Sequence, residues 1–227
     1  MPFLDRDVAK FSQGEIQNPL QLQSKNLSPE KYGLFDIKIT GGIKGGKWSH
    51  IQTAEPLPHP AFEEPIRVLT GLTQAQFDSL VQGKAFVDPA TYLVSETGHG
   101  LTGGAAIKHL LQRVNVTKRL GELSKKIPGL KGPELDKANK EYRFLAALKE
   151  TKYRPADYVV SRIPVLPPKL RPIYPDEKGE LRHSDFNYLY RDMMLVNQSL
   201  RGLAGLPEAE KVRQRKDLYD AFKALIG

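Results

Sequence analysis

Residues 184–200 read Ser-Asp-Phe-Asn-Tyr-Leu-Tyr-Arg-Asp-Met-Met-Leu-Val-Asn-Gln-Ser-Leu. Ser184 or Asp185 supplies a helix cap. The apolar positions Phe186, Leu189, Met193, Val196 and Leu200 then recur at steps of three and four, the seam of a coiled coil. Gly202 to Pro207 turns the chain back. A second arm carries Val212, Arg215, Tyr219, Phe222 and Ile226 at similar spacing, with Arg215 interrupting an otherwise apolar row. The spacing predicts a helical hairpin over 185–227. Such a hairpin buries little by itself, so its outer faces are open to a partner.

Upstream of that hairpin, Asp157-Tyr-Val-Val-Ser-Arg-Ile-Pro-Val-Leu-Pro-Pro-Lys-Leu-Arg-Pro wants a strand through Val159, Val160, Ile163, Val165 and Leu166. Its four prolines confine it to a sheet edge or an extended path. Prolines also lower the conformational cost of holding a charge in place, and the charges here are Lys169 and Arg171. Tyr174 to His183 reads as a polar loop centred on Lys178-Gly179. Farther back, Ile107, Leu110, Leu111, Val114, Leu120, Leu123 and Ile127 predict one helix stopped by Pro128-Gly129. Pro133 fits the first turn of a second helix running to about Glu150. The short link predicts an antiparallel pair.

The first 60 residues read as extended and loop-rich, with strands expected over Gly33–Ile39 and Trp48–Pro56. Thr40-Gly-Gly-Ile-Lys-Gly-Gly-Lys is a flexible turn. It lacks the order of a phosphate loop, because Trp48 stands where Ser or Thr should follow Lys47. Ala61–Leu69 and the segment opening at Thr73 predict short helices, and Lys84–Val94 has β character. The fold class expected is α+β, mostly helical. It has a loop-rich N-terminal part with short strands, a central antiparallel helix pair and a C-terminal coiled-coil-like hairpin.

Composition narrows the chemistry. The 227 residues carry 34 Lys and Arg against 26 Asp and Glu, and the charge is uneven: residues 1–107 have 9 basic and 11 acidic, the rest 25 and 15. A basic half of this kind favours a polyanion, nucleic acid first. The absence of cysteine excludes disulfides, thiolate-bound zinc, iron–sulfur clusters and a cysteine nucleophile. No apolar run approaches the ~20 residues of a membrane span, and the charged N-terminus does not read as a signal peptide, so the cytoplasm is expected. The five histidines have no metal-binding spacing, no GxSxG occurs, and the Asp5/Asp7 and Asp176-Glu177 pairs are too sparse for a two-metal site.

The order of motifs resembles a known family. Ile163-Pro-Val-Leu-Pro-Pro-Lys-Leu-Arg-Pro, a short glycine-bearing loop, then Ser184-Asp-Phe-Asn-Tyr-Leu-Tyr-Arg is similar to the N-terminal clamp region of the beta-prime subunit of bacterial RNA polymerase. Phe11-Ser-Gln-Gly-Glu-Ile, Tyr32-Gly-Leu-Phe-Asp, Ser49-His-Ile-Gln-Thr-Ala-Glu-Pro-Leu-Pro-His-Pro and Gly104-Ala-Ala-Ile-Lys-His-Leu-Leu resemble further segments of that family in the same order. Two departures stand out. Only Ile39–Lys47 fills the gap where the family has a four-cysteine zinc element, so no zinc is expected. The NADFDGD motif that holds catalytic Mg²⁺ is absent, so a fragment, split subunit or relic is expected, inactive alone.

The resemblance implies roles. Lys169 and Arg171, with Lys178 and Arg182 of a lid-like loop (about 173–183), would contact nucleic-acid backbone near the RNA–DNA hybrid. Residues 1–184 would form the clamp core and 185–227 the clamp helices. On those helices Tyr190, Arg191, Asp192, Val196, Ser199 and Arg201 would face a sigma-like initiation factor. The remaining polymerase subunits, DNA and the hybrid are the implied partners, with no membrane. Mg²⁺ belongs to the complete polymerase, and no cofactor to this chain. The alternative is a non-enzymatic module derived from the clamp that binds nucleic acid or an initiation factor.

Overall fold

The computed structural model describes residues 3–19 and 30–227; the loop-rich reading of 20–29 lies outside the described residues. Helices are α1 (Asp5–Phe11), α2 (Ile37–Thr40), α3 (Glu63–Thr70), α4 (Gln74–Gln82), α5 (Gly103–Gln112), α6 (Val116–Lys126), α7 (Gly132–Thr151), α8 (Asp185–Gly202) and α9 (Glu208–Ile226). Strands are β1 (Ser49–Pro58), β2 (Phe86–Val87), β3 (Val94–Ser95), β4 (Val159–Val165), β5 (Ile173–Pro175) and β6 (Leu181–His183). They pair in twos, β1 with β4, β2 with β3 and β5 with β6. The protein is therefore α+β and mostly helical.

The chain forms two compact units, one from residues 1–55 and 160–227, the other from 56–159. In the second, α6 and α7 pack side by side and bury Leu120, Leu145 and Leu148. Thr73 and Gln76 cap α4 reciprocally. The helix expected over 107–127 is two helices, because Asn115 accepts the Lys118 N–H (3.0 Å) and starts α6 anew. α5 needs Gly104: a Cβ there would lie 1.9 Å from the carbonyl oxygen of Pro56.

In the first unit the N-terminus departs from the expected loop. Asp5-Arg-Asp opens α1, where acidic residues suit the helix start. The Asp5 carboxylate accepts the backbone N–H groups of Ser161 and Arg162 on β4 at 2.8–2.9 Å. The strand expected over 33–39 is a turn and the short α2, because Asp36 accepts N–H bonds from Tyr32, Lys38 and Ile39 (2.6–3.0 Å). Alternation of Leu34, Phe35, Ile37 and Ile39 mimicked a strand, but the carboxylate cap prevails. Ile16, Leu34, Phe35, Ile39, Ile51, Val165, Tyr190 and Met194 make the core of this unit.

The α8–α9 hairpin forms where expected, with a shifted seam. α8 buries Asn187, Tyr190, Met193, Met194, Asn197 and Leu200, whereas Phe186 is exposed and Leu189 and Val196 are half-buried. Asn197 explains the shift. Its Oδ1 accepts the Ala54 N–H (2.7 Å) and its Nδ2 donates to the Gln52 carbonyl (3.0 Å), so one side chain satisfies a donor and an acceptor two residues apart on β1. On α9, Arg215 is buried among carboxylates. It forks onto Glu55 (2.6 and 2.8 Å) and lies 2.5 Å from Glu208. Burial pulls its pKa down, but the hydrogen bonds and charges of Glu55 and Glu208 outweigh that and raise it.

Candidate nucleic-acid interface

The candidate surface is built on the proline-rich turn after β4. Pro167 and Pro168 are buried and start a one-turn 3₁₀ helix over Pro168–Leu170. The turn is anchored by Lys169 N–H to the Gly45 carbonyl (3.0 Å) and Arg171 N–H to the Pro168 carbonyl (3.0 Å). Lys169 and Leu170 face solvent.

Arg171 does not. It is fully buried, with its guanidinium 4.7 Å from the Phe35 ring centroid and 5.9 Å from that of Tyr190. Nε donates to the Leu166 carbonyl (2.7 Å), Nη1 to Asn187 Oδ1 (2.8 Å) and Nη2 to the Leu34 carbonyl. Asn187 Nδ2 donates back to the Arg171 carbonyl (3.1 Å). No carboxylate among the described residues pairs with this cation, and burial pulls its pKa down to about 10. The expectation that Arg171 touches a ligand therefore gives way. A five-donor fork suits three oxygens on separate segments, so Arg171 ties the turn to α8 and to the Leu34 segment. Of the two expected contacts, Lys169 alone is presented outward.

The polar loop is a β-hairpin. Ile173 pairs with His183, Tyr174 with Arg182 and Pro175 with Leu181, and the Ser184 N–H closes its base on the Pro172 carbonyl (3.1 Å). Asp176 organises the tip. Its carboxylate accepts the N–H groups of Lys178 and Glu180 and the Nε of Arg182, each at 2.9 Å. The Glu180 N–H above all, then the Lys178 N–H and Arg182, hold its pKa below the ordinary carboxylate value. Arg182 is thus ion-paired within the hairpin, while Lys178 stands exposed at the tip. His183 is buried with neither ring nitrogen hydrogen-bonded, and burial lowers its pKa.

The expected partner face of the helical hairpin is divided. Tyr190 is buried, its hydroxyl donating to the Pro164 carbonyl (3.2 Å) and accepting the Leu166 N–H (3.1 Å), so it cannot meet a partner in this fold. Arg191 pairs with Asp192 (2.6 Å) and covers the Tyr188 ring. Arg201 is partly exposed and donates to the Gln52 carbonyl (2.6 Å). Val196 is half-buried, and Ser199 and Asp192 are exposed. Tyr188 and Leu195, which the spacing argument passed over, are exposed on α8, Leu195 at 49%. Once Asn187 and Asn197 are recognised as inward, helical geometry turns these two outward.

The fold and surface define a two-unit α+β protein bearing a basic turn, a small β-hairpin and a long helical hairpin. No protein-family model matches the sequence. It is similar to DNA-directed RNA polymerase subunit beta' of Lacticaseibacillus casei, 27% identical over 277 positions covering 96% of this chain and 23% of that protein. It is likewise similar to the subunit beta' of Acinetobacter baumannii, 26% identical, covering 96% of this chain and 20% of the relative. The chain thus spans about a fifth to a quarter of the relatives it matches. The match runs over more positions than the 227 residues present, so the relatives carry stretches with no counterpart here. Among the described residues no three His, Asp or Glu side chains are grouped to hold a metal ion, and no helix is long and apolar enough to cross a membrane.

Proposed function

We propose that this chain supplies clamp parts of a beta'-type subunit of a DNA-directed RNA polymerase, holding DNA and the RNA–DNA hybrid without carrying the catalytic metal. The observation behind the reading is that a match across 96% of the chain includes an outward Lys169 and a hairpin with Lys178 at its tip. Lys169 and Lys178 are the direct phosphate contacts, with Arg182 beside them. Such contacts position a nucleic acid without reading its sequence. Arg171 acts by holding the turn. Residues 173–183 work as a lid beside the hybrid, residues 1–184 as the clamp core and residues 185–227 as the clamp helices.

Its partners are the other polymerase subunits or segments, which supply the Mg²⁺ site, and its place of work is the cytoplasm. The short Ile39–Lys47 link carries no cysteine, so no thiolate-held zinc is part of this reading. The test is affinity purification of the tagged chain from its native cell. Recovery of polymerase subunits, together with crosslinking from a photoreactive residue at position 178 to a hybrid scaffold, supports the reading. A chain that purifies alone and crosslinks to no nucleic acid overturns it.

A second reading has its own observation. Leu195 and Tyr188 are exposed on the same helix as Asp192 and Ser199, a surface suited to a protein partner such as a sigma-like factor. On that reading the chain is a non-enzymatic module derived from the clamp. Capture of an initiation factor, lost in Leu195→Asp, without polymerase subunits would favour it.

A further inference from the structure

The glycine-rich segment 40–47 lacks the residue order of a phosphate loop, yet the fold brings it against Lys169. We propose that this loop, through Lys44 and Lys47, is a second backbone-phosphate contact continuous with Lys169. The proposal rests on the nucleic-acid reading above and enlarges its surface.

The loop is built rather than slack. Ile43 packs on the core of the first unit. The Lys47 N–H donates to the Thr40 carbonyl (3.3 Å), and the Gly45 carbonyl accepts the Lys169 N–H (3.0 Å). Gly41 and Gly42 have φ of 86° and 81°, and a Cβ on Gly45 would lie 2.0 Å from the Thr40 carbonyl oxygen. These glycines are required by the path itself, so Lys44 and Lys47 flank a fixed knot rather than ride on a linker.

The charges have no carboxylate in direct contact. Lys38, Lys44, Lys47 and Lys169 are all exposed, and none is within ion-pair distance of a carboxylate among the described residues. The nearby Asp36 is buried and engaged by three backbone N–H groups, with the charge of Lys38 acting on it from beyond ion-pair distance, and Lys47 Nζ donates one hydrogen bond to the Lys38 carbonyl (3.3 Å), leaving its other donors outward. Lys169 lies across Gly46, its Nζ 3.4 Å from the position a Cβ would take. The N–H groups of Lys44 and Gly46 have no acceptor among the described residues. Four ammonium groups and two free amides around bare glycine backbone suit a chain of phosphodiesters. Lysine point charges there confer affinity and salt dependence without base preference.

The experiment is fluorescence anisotropy of the full chain with a labelled random-sequence DNA duplex over a salt series. Lys44→Ala/Lys47→Ala should lower the slope of log K against log salt by about 1.8, at about 0.9 per phosphate contact, and Lys169→Ala by about 0.9. A control, Lys125→Ala/Lys126→Ala at the end of α6, removes the same charge and should leave the slope unchanged. If Lys169→Ala acts and the loop pair does not, the loop assignment is overturned and the wider reading stands. If the control lowers the slope as much as the loop pair, general charge is responsible and the assignment is overturned. If the wild-type chain binds no duplex, both fall. Unchanged circular dichroism melting of the three variants shows that each change in slope is not loss of fold.

Discussion

Replacing Arg171 separates a buried tie from a ligand contact. Arg171→Met keeps length and removes the fork. It strands the Leu34 and Leu166 carbonyl oxygens and Asn187 Oδ1, all of which accept from the guanidinium. Each orphaned buried acceptor costs about 1–3 kcal/mol, so the gross loss is roughly 3–9 kcal/mol. Removing the charge recovers part of this. Burial, partly offset by Tyr190, brings the guanidinium pKa down to about 10, which corresponds to roughly 3 kcal/mol against the cation. The net expectation is a destabilisation of about 3 kcal/mol, within the range of severe single substitutions. Urea unfolding followed by fluorescence of Trp48, the sole tryptophan and a member of the same unit, measures it. Arg171→Lys keeps the charge but cannot reach three oxygens, so at pH 7 it should be at least as unstable. A buried lysine has its pKa depressed, so that variant should gain stability as pH rises from 7 toward 10. Arg171→Met within 1 kcal/mol of wild type, combined with weakened nucleic-acid binding, would falsify the tie and restore Arg171 as a contact.

Other outcomes follow from single interactions. Asn197→Asp keeps an acceptor for the Ala54 N–H but sets a carboxylate oxygen against the Gln52 carbonyl, and a loss of about 2 kcal/mol is expected in the same urea assay. Glu55→Gln leaves Arg215 with Glu208, whereas Arg215→Met leaves Glu55 without its cation and Glu208 with Lys211 alone; the Met variant should lose more, up to about 3 kcal/mol. His59 is buried and its pKa is lowered by burial to about 4, so the unfolded chain binds the extra proton between pH 6.5 and 4. Its contribution is complete above pH 6.5 and disappears as pH falls to 4, about 3 kcal/mol in all. His59→Asn should flatten that part of the stability profile measured by circular dichroism, and an unchanged slope would refute the assignment. Asp176→Ala should release Arg182 and the 176–180 tip, seen as faster amide exchange at Lys178 and Glu180.

The sequence by itself determined the helical hairpin, the strands around Trp48–Pro56 and from Val159, and the order of motifs that resembles beta'. These are local signals: caps, periodicity, proline and glycine placement, each read within a few residues. Tertiary structure alone decided which face of α8 is inside. Asn187 and Asn197 break the apolar period, and their burial is favourable only because Arg171 and the edge of β1 supply partners, β1 lying more than 140 residues from Asn197 in the chain. The same holds for Arg171, whose flanking prolines suggested exposure until Leu34 and Asn187 closed around it, and for the 40–47 loop, whose neighbour Lys169 no local window could show. Polar burial depends on finding a complementary group elsewhere in the fold, and that pairing is not encoded in any one stretch of residues.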